Sequence, residues 1–187
     1  GVISPLGIGK NVFIDALMTD TNGIKDITLF DTSDYKTRKA GEVTAFDPSV
    51  YLGAKGLRTL DRSTRLAASA TKLALDDAGF VVTEENAPRL GVAIGAMFGS
   101  LRSICEFDRD AMIDGPQYVN PAFFPNTVIN SPASQVSIKF NIKGFNSTIS
   151  TGFCAGLDAI KYAADFLRMG RVDTVLAGGV EEFCQET

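Results

Sequence analysis

One segment of the chain combines residue types that could do chemistry. Cys154 lies within residues 144–160, where a β-prone stretch meets small residues and then an alanine-rich helical pattern. Such a strand-to-helix turn places its first helical residues at a helix N-terminus. The partial positive charge and free N–H groups there lower the pKa of a thiol and can hold an oxyanion. The segment predicts a candidate nucleophile at Cys154, and the alternative is a buried cysteine that acts as a small hydrophobe.

Alternating helical and strand patterns position this turn. Helical spacing of apolar residues predicts helices over 61–78 and 155–169, and we expect Ser63 to cap the first of them. Short continuous apolar runs predict buried strands over 90–96 and 172–177. Weaker helical patterns cover 11–18, 101–113 and 132–140. This alternation is typical of a layered α/β domain with a largely parallel or mixed sheet.

Composition excludes several classes of function. The 187 residues carry a formal net charge of -4 and no basic cluster, so there is no electrostatic basis for binding nucleic acid or an anionic membrane. No apolar run reaches the length of about 18 residues that a membrane span needs. Because the chain has no histidine, imidazole metal sites and a Cys-His couple within it are excluded, and we expect no metal. Cys105, Cys154 and Cys184 lack CxxC spacing, which favours a reducing cytoplasm.

Several motifs resemble, in their order and spacing, those of the β-ketoacyl-acyl-carrier-protein synthases of type II fatty acid and polyketide synthesis. Ser150-Thr151-Gly152 and Gly156-Leu157-Asp158 resemble the residues that flank the nucleophilic cysteine of that family. The other matching motifs are Ile94-Gly95 followed by Gly99 and Leu101, Pro121 and Pro125 with Asn130 and Ala133, and Ala177-Gly178-Gly179-Val180-Glu181. The resemblance covers almost the whole chain.

The resemblance implies a thiolase-like α/β fold with a mixed five-stranded sheet between helices. Residues 1–187 would form the amino-terminal domain, the first of two pseudo-repeated halves, with the first strand and the carboxy-terminal half missing. A degradative thiolase shares this fold, but the Pro121 to Ala133 segment favours the synthases. A plain α/β binding domain would require every motif match to be accidental.

The register at the nucleophile departs from the family pattern, which runs glycine, eight residues, cysteine, two residues, glycine. Counted without gaps from Gly144 to Gly156, the nucleophile position falls on Phe153, and Cys154 lies one residue further on. Successive helical residues point about 100° apart, so a thiol at residue 154 faces another direction. Two interpretations stay open. The chain is either a synthase that uses a locally rearranged Cys154, or a silent partner that resembles the chain-length-factor subunits.

The resemblance also implies the reaction and its partners. A synthase takes an acyl chain from the phosphopantetheine of acyl carrier protein and condenses it with malonyl-carrier protein, without a further cofactor. We expect a homodimer for a synthase and a ketosynthase heterodimer for a silent partner, with residues 147–150 at the two-fold axis. By the same comparison Ile104, Phe98 and Phe107 are candidates for the wall of the acyl pocket, although core packing would give the same pattern.

Overall fold

The computed structural model describes residues 1–187 as a layered α/β structure. Its helices are α1 (Lys10–Met18), α2 (Ser49–Leu52), α3 (Arg62–Asp77), α4 (Leu101–Ile113), α5 (Ser131–Lys139) and α6 (Ala155–Arg168). Its strands are β1 (Ile3–Ser4), β2 (Gly7–Ile8), β3 (Ile24–Asp26), β4 (Lys39–Gly41), β5 (Leu90–Gly95), β6 (Asn146–Ile149) and β7 (Thr174–Gly179). None of the helices combines the length and apolarity needed to cross a bilayer.

The central sheet has three parallel strands in the order β6-β5-β7. Val92 of β5 lies opposite Asn146 of β6 and Leu176 of β7. This sheet differs from the mixed five-stranded sheet that the resemblance implied. The four remaining strands have two or three residues each and pair antiparallel within two separate ribbons, β1 with β2 and β3 with β4, so they never join the sheet. The α/β class and the position of the sheet between helices are confirmed.

One face of β5 forms the main core. Leu90, Val92 and Ile94 share a buried cluster with Ala67 of α3 and Val136 of α5. Each of the larger side chains contributes about 1.5–3 kcal/mol when it is fully buried. Since β5 is buried along its whole length, the continuous apolar run that predicted a buried strand is confirmed.

The opposite face of β5 carries small residues because α6 approaches it closely. Ala93 packs against Ala159 and Ala163 of α6. A Cβ added at Gly95 would lie 2.3 Å from the backbone carbonyl carbon and oxygen of Ala155. That distance is far inside van der Waals contact. The glycine at this position therefore lets the N-terminus of α6 rest directly on the end of β5.

Helix α3 is capped by Asp61 and not by Ser63. Asp61 has extended backbone angles, and its carboxylate accepts a hydrogen bond from the backbone N–H of Thr64 at 3.1 Å. Ser63 lies inside the helix, where its hydroxyl donates to the carbonyl oxygen of Gly99 at 3.1 Å. The prediction of Ser63 as the cap is wrong because Asp61, two residues earlier, occupies the N-cap position.

The helices expected over 101–113 and 155–169 are confirmed as α4 and α6, the latter ending one residue early.

Candidate functional site

The three parallel strands end at the same edge of the sheet, and a cavity of about 730 Å³ lies there. In parallel sheets, ligands bind outside the carboxyl ends of the strands. The walls come chiefly from the segments that follow β5, β6 and β7, namely Gly95 to Phe98, Gly152, Phe153, Ala155, Gly156 and Gly179 to Phe183. This cavity is the candidate site.

The turn between β6 and α6 brings a helix N-terminus to the cavity. Gly152 has φ 72°, in the left-handed region that favours glycine, and opens a 3₁₀ turn that ends at Cys154. Cys154 is the N-cap residue of α6, and no side chain caps the helix. Ala155 and Gly156, the first two residues of α6, line the cavity. Their end of the helix can therefore stabilise negative charge that develops on a bound molecule.

Phe153 and Cys154 take different positions at this turn. Phe153 lines the cavity, and the residue is 96% exposed. Cys154 is an exposed free cysteine that does not contribute to the cavity lining. Phe153, and not Cys154, is thus among the residues that line the cavity at the end of the sheet. The role of either residue as the reactive position stays a prediction.

The three residues predicted to form the acyl wall separate into two places. Phe98 shares the first cavity with Phe153. Phe107 lines a second cavity of about 490 Å³, where its ring contacts Phe124 edge-on with the centroids 6.2 Å apart. Ile104 is half-buried on α4 and lines neither cavity. Wall-forming roles for Ile104, Phe98 and Phe107 all stay predictions.

A carboxylate that follows β7 fixes the connection between β5 and α4. Glu181 accepts hydrogen bonds from the backbone N–H groups of Met97, at 2.7 Å, and Phe98, at 3.3 Å. The hydroxyl of Ser150 donates to the carbonyl oxygen of Met97 at 3.4 Å. These hydrogen bonds fix the backbone at Met97 and Phe98. The segments that follow β5, β6 and β7 therefore meet at the cavity.

Sequence reasoning missed two buried carboxylates, Asp61 and Glu182. They are 6% and 3% exposed, and both line the second cavity. Burial raises the pKa of Glu182 to about 7, and the negative charge of Asp61 adds to that rise. Burial also raises the pKa of Asp61, against the hydrogen bonds from Thr64. An acidic residue just before a helical pattern could have identified Asp61 as a cap, but nothing in the sequence marks Glu182 as buried.

The fold and this cavity at a helix N-terminus define an α/β domain of the thiolase-like class, as the resemblance implied. The family model described as "Beta-ketoacyl synthase, N-terminal domain" matches residues 1–187. The chain therefore belongs to the β-ketoacyl synthase family. Curated relatives in that family are 3-oxoacyl-acyl-carrier-protein synthases, which are acyltransferases.

Three similar proteins illustrate the relationship. The 3-oxoacyl-[acyl-carrier-protein] synthase 2 of Coxiella burnetii is 39% identical over 182 residues, which are 97% of this chain and 44% of the relative. A solved structure described as the ishigamide ketosynthase/chain length factor has a TM-score of 0.88 and 26% identity, covering 99% of this chain and 46% of its own. A β-ketoacyl synthase from Burkholderia phymatum STM815 has a TM-score of 0.82 and 27% identity, covering 98% of this chain and 45% of its own. The chain spans less than half the length of each.

Proposed function

We propose that the protein acts in the decarboxylative Claisen condensation that β-ketoacyl-acyl-carrier-protein synthases perform in fatty acid or polyketide synthesis. In this reaction malonyl-carrier protein loses CO₂, and the resulting carbanion attacks the acyl thioester. A carbon–carbon bond forms, and the thiol that carried the acyl group is released. The observation that carries the proposal is the cavity at the strand ends with the N-terminus of α6 on its wall. The reaction develops negative charge and holds an apolar acyl chain away from water, and both require a cavity of this kind.

Within that reaction we assign this chain the role of a subunit that resembles the chain-length factors. Phe153 supports the assignment because it lines the cavity and holds the nucleophile position of the gapless comparison. A phenyl ring cannot accept an acyl group. A ring at this place shapes the space for the growing chain. The similar solved structure described as a ketosynthase/chain length factor is consistent with this role.

A second candidate function is an active β-ketoacyl-acyl-carrier-protein synthase with Cys154 as its nucleophile. The exposed free thiol at the N-cap of α6 favours it, as does the 39% identity to a relative named as a synthase. This function requires the turn over residues 152–154 to rearrange by one residue, so that the thiol replaces the ring on the cavity wall.

The proposed partners follow from the reaction and from one open sheet edge. Acyl carrier protein brings the substrates on its phosphopantetheine, so the reaction needs no other cofactor, and the name of the Coxiella burnetii relative supports this partner. Strand β6 is an edge strand of the sheet and can pair with a strand of another subunit. We propose a homodimer for the active synthase and a ketosynthase heterodimer for the silent subunit. The cytoplasmic location stays a prediction.

The test is a condensation assay with the full-length protein, together with its ketosynthase partner, acyl-carrier protein and malonyl-carrier protein. Mass spectrometry of the carrier-bound products gives both rate and chain length. We expect products whose rate of formation is unchanged by Cys154→Ala. Loss of all product in Cys154→Ala would replace the silent role by the active synthase. If neither the wild type nor Cys154→Ala gives a condensation product, the proposed condensation function is overturned.

A further inference from the structure

Glu182 lies beside the first turns of two helices. Its carboxylate accepts from the backbone N–H of Arg102, the second residue of α4, at 3.3 Å. Glu182 also lines the cavity of about 490 Å³ together with Asp61 and Arg62 at the start of α3. Free N–H groups and the positive end of the helix dipole stabilise a carboxylate at the start of α4. Glu182 therefore ties the start of α4 to the segment that follows β7.

Asp61 makes a second tie at the same place. Besides capping α3, its carboxylate accepts a hydrogen bond from the hydroxyl of Ser100, the N-cap residue of α4. The negative charge of Asp61 disfavours the ionised form of Glu182 and so raises the pKa of that carboxyl. The other charged groups around the pair are the cations of Arg58, Arg62, Arg65 and Arg102 and the carboxylates of Glu106, Asp110 and Glu186.

The elements held by Glu182 carry every residue predicted to line the acyl pocket. Phe98 lies in the connection that leads into α4, and Ile104 and Phe107 lie on α4 itself. Glu182 also lines both the cavity of about 730 Å³ and the cavity of about 490 Å³, so it forms part of the partition between them. A displacement at the start of α4 would move the whole predicted wall as one unit.

We propose that Glu182 is a positioning residue that sets the length of acyl chain which the protein accepts, by holding the start of α4 against the segment that follows β7. The acyl part of this proposal rests on the proposed function, whereas the tie at the start of α4 does not. Without the carboxylate, the start of α4 keeps the hydrogen bonds of Ser100 with Asp61 and of Gly99 with Ser63. The partition then loosens, and chains of other lengths fit.

The experiment compares three variants of the full-length protein in its assembled form. Glu182→Ala removes the acceptor, Glu182→Gln keeps an acceptor oxygen without the charge, and Glu85→Gln is the control at an exposed carboxylate. Amide hydrogen exchange over residues 97–103 reports on the tie. Calorimetric binding of acyl-carrier proteins with graded chain lengths reports on selectivity. We expect Glu182→Ala to speed exchange at least about tenfold over this segment and to flatten the length preference. Glu182→Gln should largely restore both.

The outcomes separate the two proposals. Unchanged exchange in Glu182→Ala overturns the tie. Faster exchange with an unchanged length preference overturns the positioning role. If the wild-type protein binds no acyl-carrier protein at all, the proposed function fails and the acyl part of this inference fails with it, while exchange still decides the tie. Should Glu182→Ala not fold, Glu182→Asp carries the same test, because its carboxylate is one methylene shorter and falls short of the backbone N–H of Arg102.

Discussion

Thr151 donates a hydrogen bond from its hydroxyl to the carboxylate of Asp158, with 2.5 Å between the two oxygens. The bond joins the start of the 3₁₀ turn to the first turn of α6, so it fixes the backbone that carries Phe153 and Cys154. We predict that Thr151→Val lowers the free energy of unfolding by about 1 kcal/mol. Urea unfolding measures this, with Thr37→Val as the control at an exposed threonine. Equal losses in both variants would show that the bond does not stabilise the turn.

Gly95 and Gly178 lie on neighbouring strands and should respond differently to alanine. A Cβ at Gly95 would overlap the backbone of Ala155, whereas a Cβ at Gly178 would meet no atom within 4 Å. We predict that Gly95→Ala costs about 3 kcal/mol or prevents folding, because α6 must move off the sheet. Gly178→Ala should change stability by less than about 1 kcal/mol. Thermal unfolding of the two variants measures the difference, and similar stabilities would contradict the close approach of α6 to β5.

The raised pKa of Glu182 predicts how stability depends on pH. The folded-state pKa of about 7 lies above the ordinary value of 4.5, so the folded state binds more protons between these values. This contribution to stability is present below pH 4.5 and is lost as the pH rises through 7. Glu182→Gln cannot titrate at this position. As the pH rises from 4.5 to 7, the free energy of unfolding of the variant should therefore increase relative to that of the wild type by up to about 3 kcal/mol. Urea unfolding at several pH values checks this, and parallel curves would contradict it.

Two phenylalanines should differ in their effect on stability. Phe153 is 96% exposed, so Phe153→Ala should leave the free energy of unfolding within about 0.5 kcal/mol of the wild type. Phe145 packs on Phe166 with the ring centroids 4.1 Å apart and covers Gly91, so Phe145→Ala should cost about 3 kcal/mol. Phe153→Ala should nevertheless change the chain length of the condensation products. A large loss of stability in Phe153→Ala would mean that its ring supports the fold.

The sequence predicted those parts of the fold that depend on local pattern. Strand β5 and helix α6 followed from an apolar run and from alanines at helical spacing, and both patterns are set by neighbours a few residues away. The β-prone stretch, small residues and helical pattern over residues 144–160 indicated a strand-to-helix turn, and the cavity lies there.

The rest depends on contacts between distant segments. Glu182 is buried because α3 and α4, which start about 120 and 80 residues before it in the chain, both begin beside it. The carboxylate of Asp61, which caps α3, also meets Ser100, a partner that no local pattern shows. The pairing of the short strands in separate ribbons is likewise a choice among tertiary partners.

The central claim is that the side chain of residue 153, and not the thiol of residue 154, faces the acyl site. The most direct measurement is the intact mass of the full-length protein after incubation with an acyl-carrier protein, for the wild type and for a Phe153→Cys/Cys154→Ala double variant. We predict no acyl adduct on the wild type and one acyl group on the introduced thiol of the double variant. An acyl adduct on Cys154 of the wild type, with none on the double variant, would contradict the account.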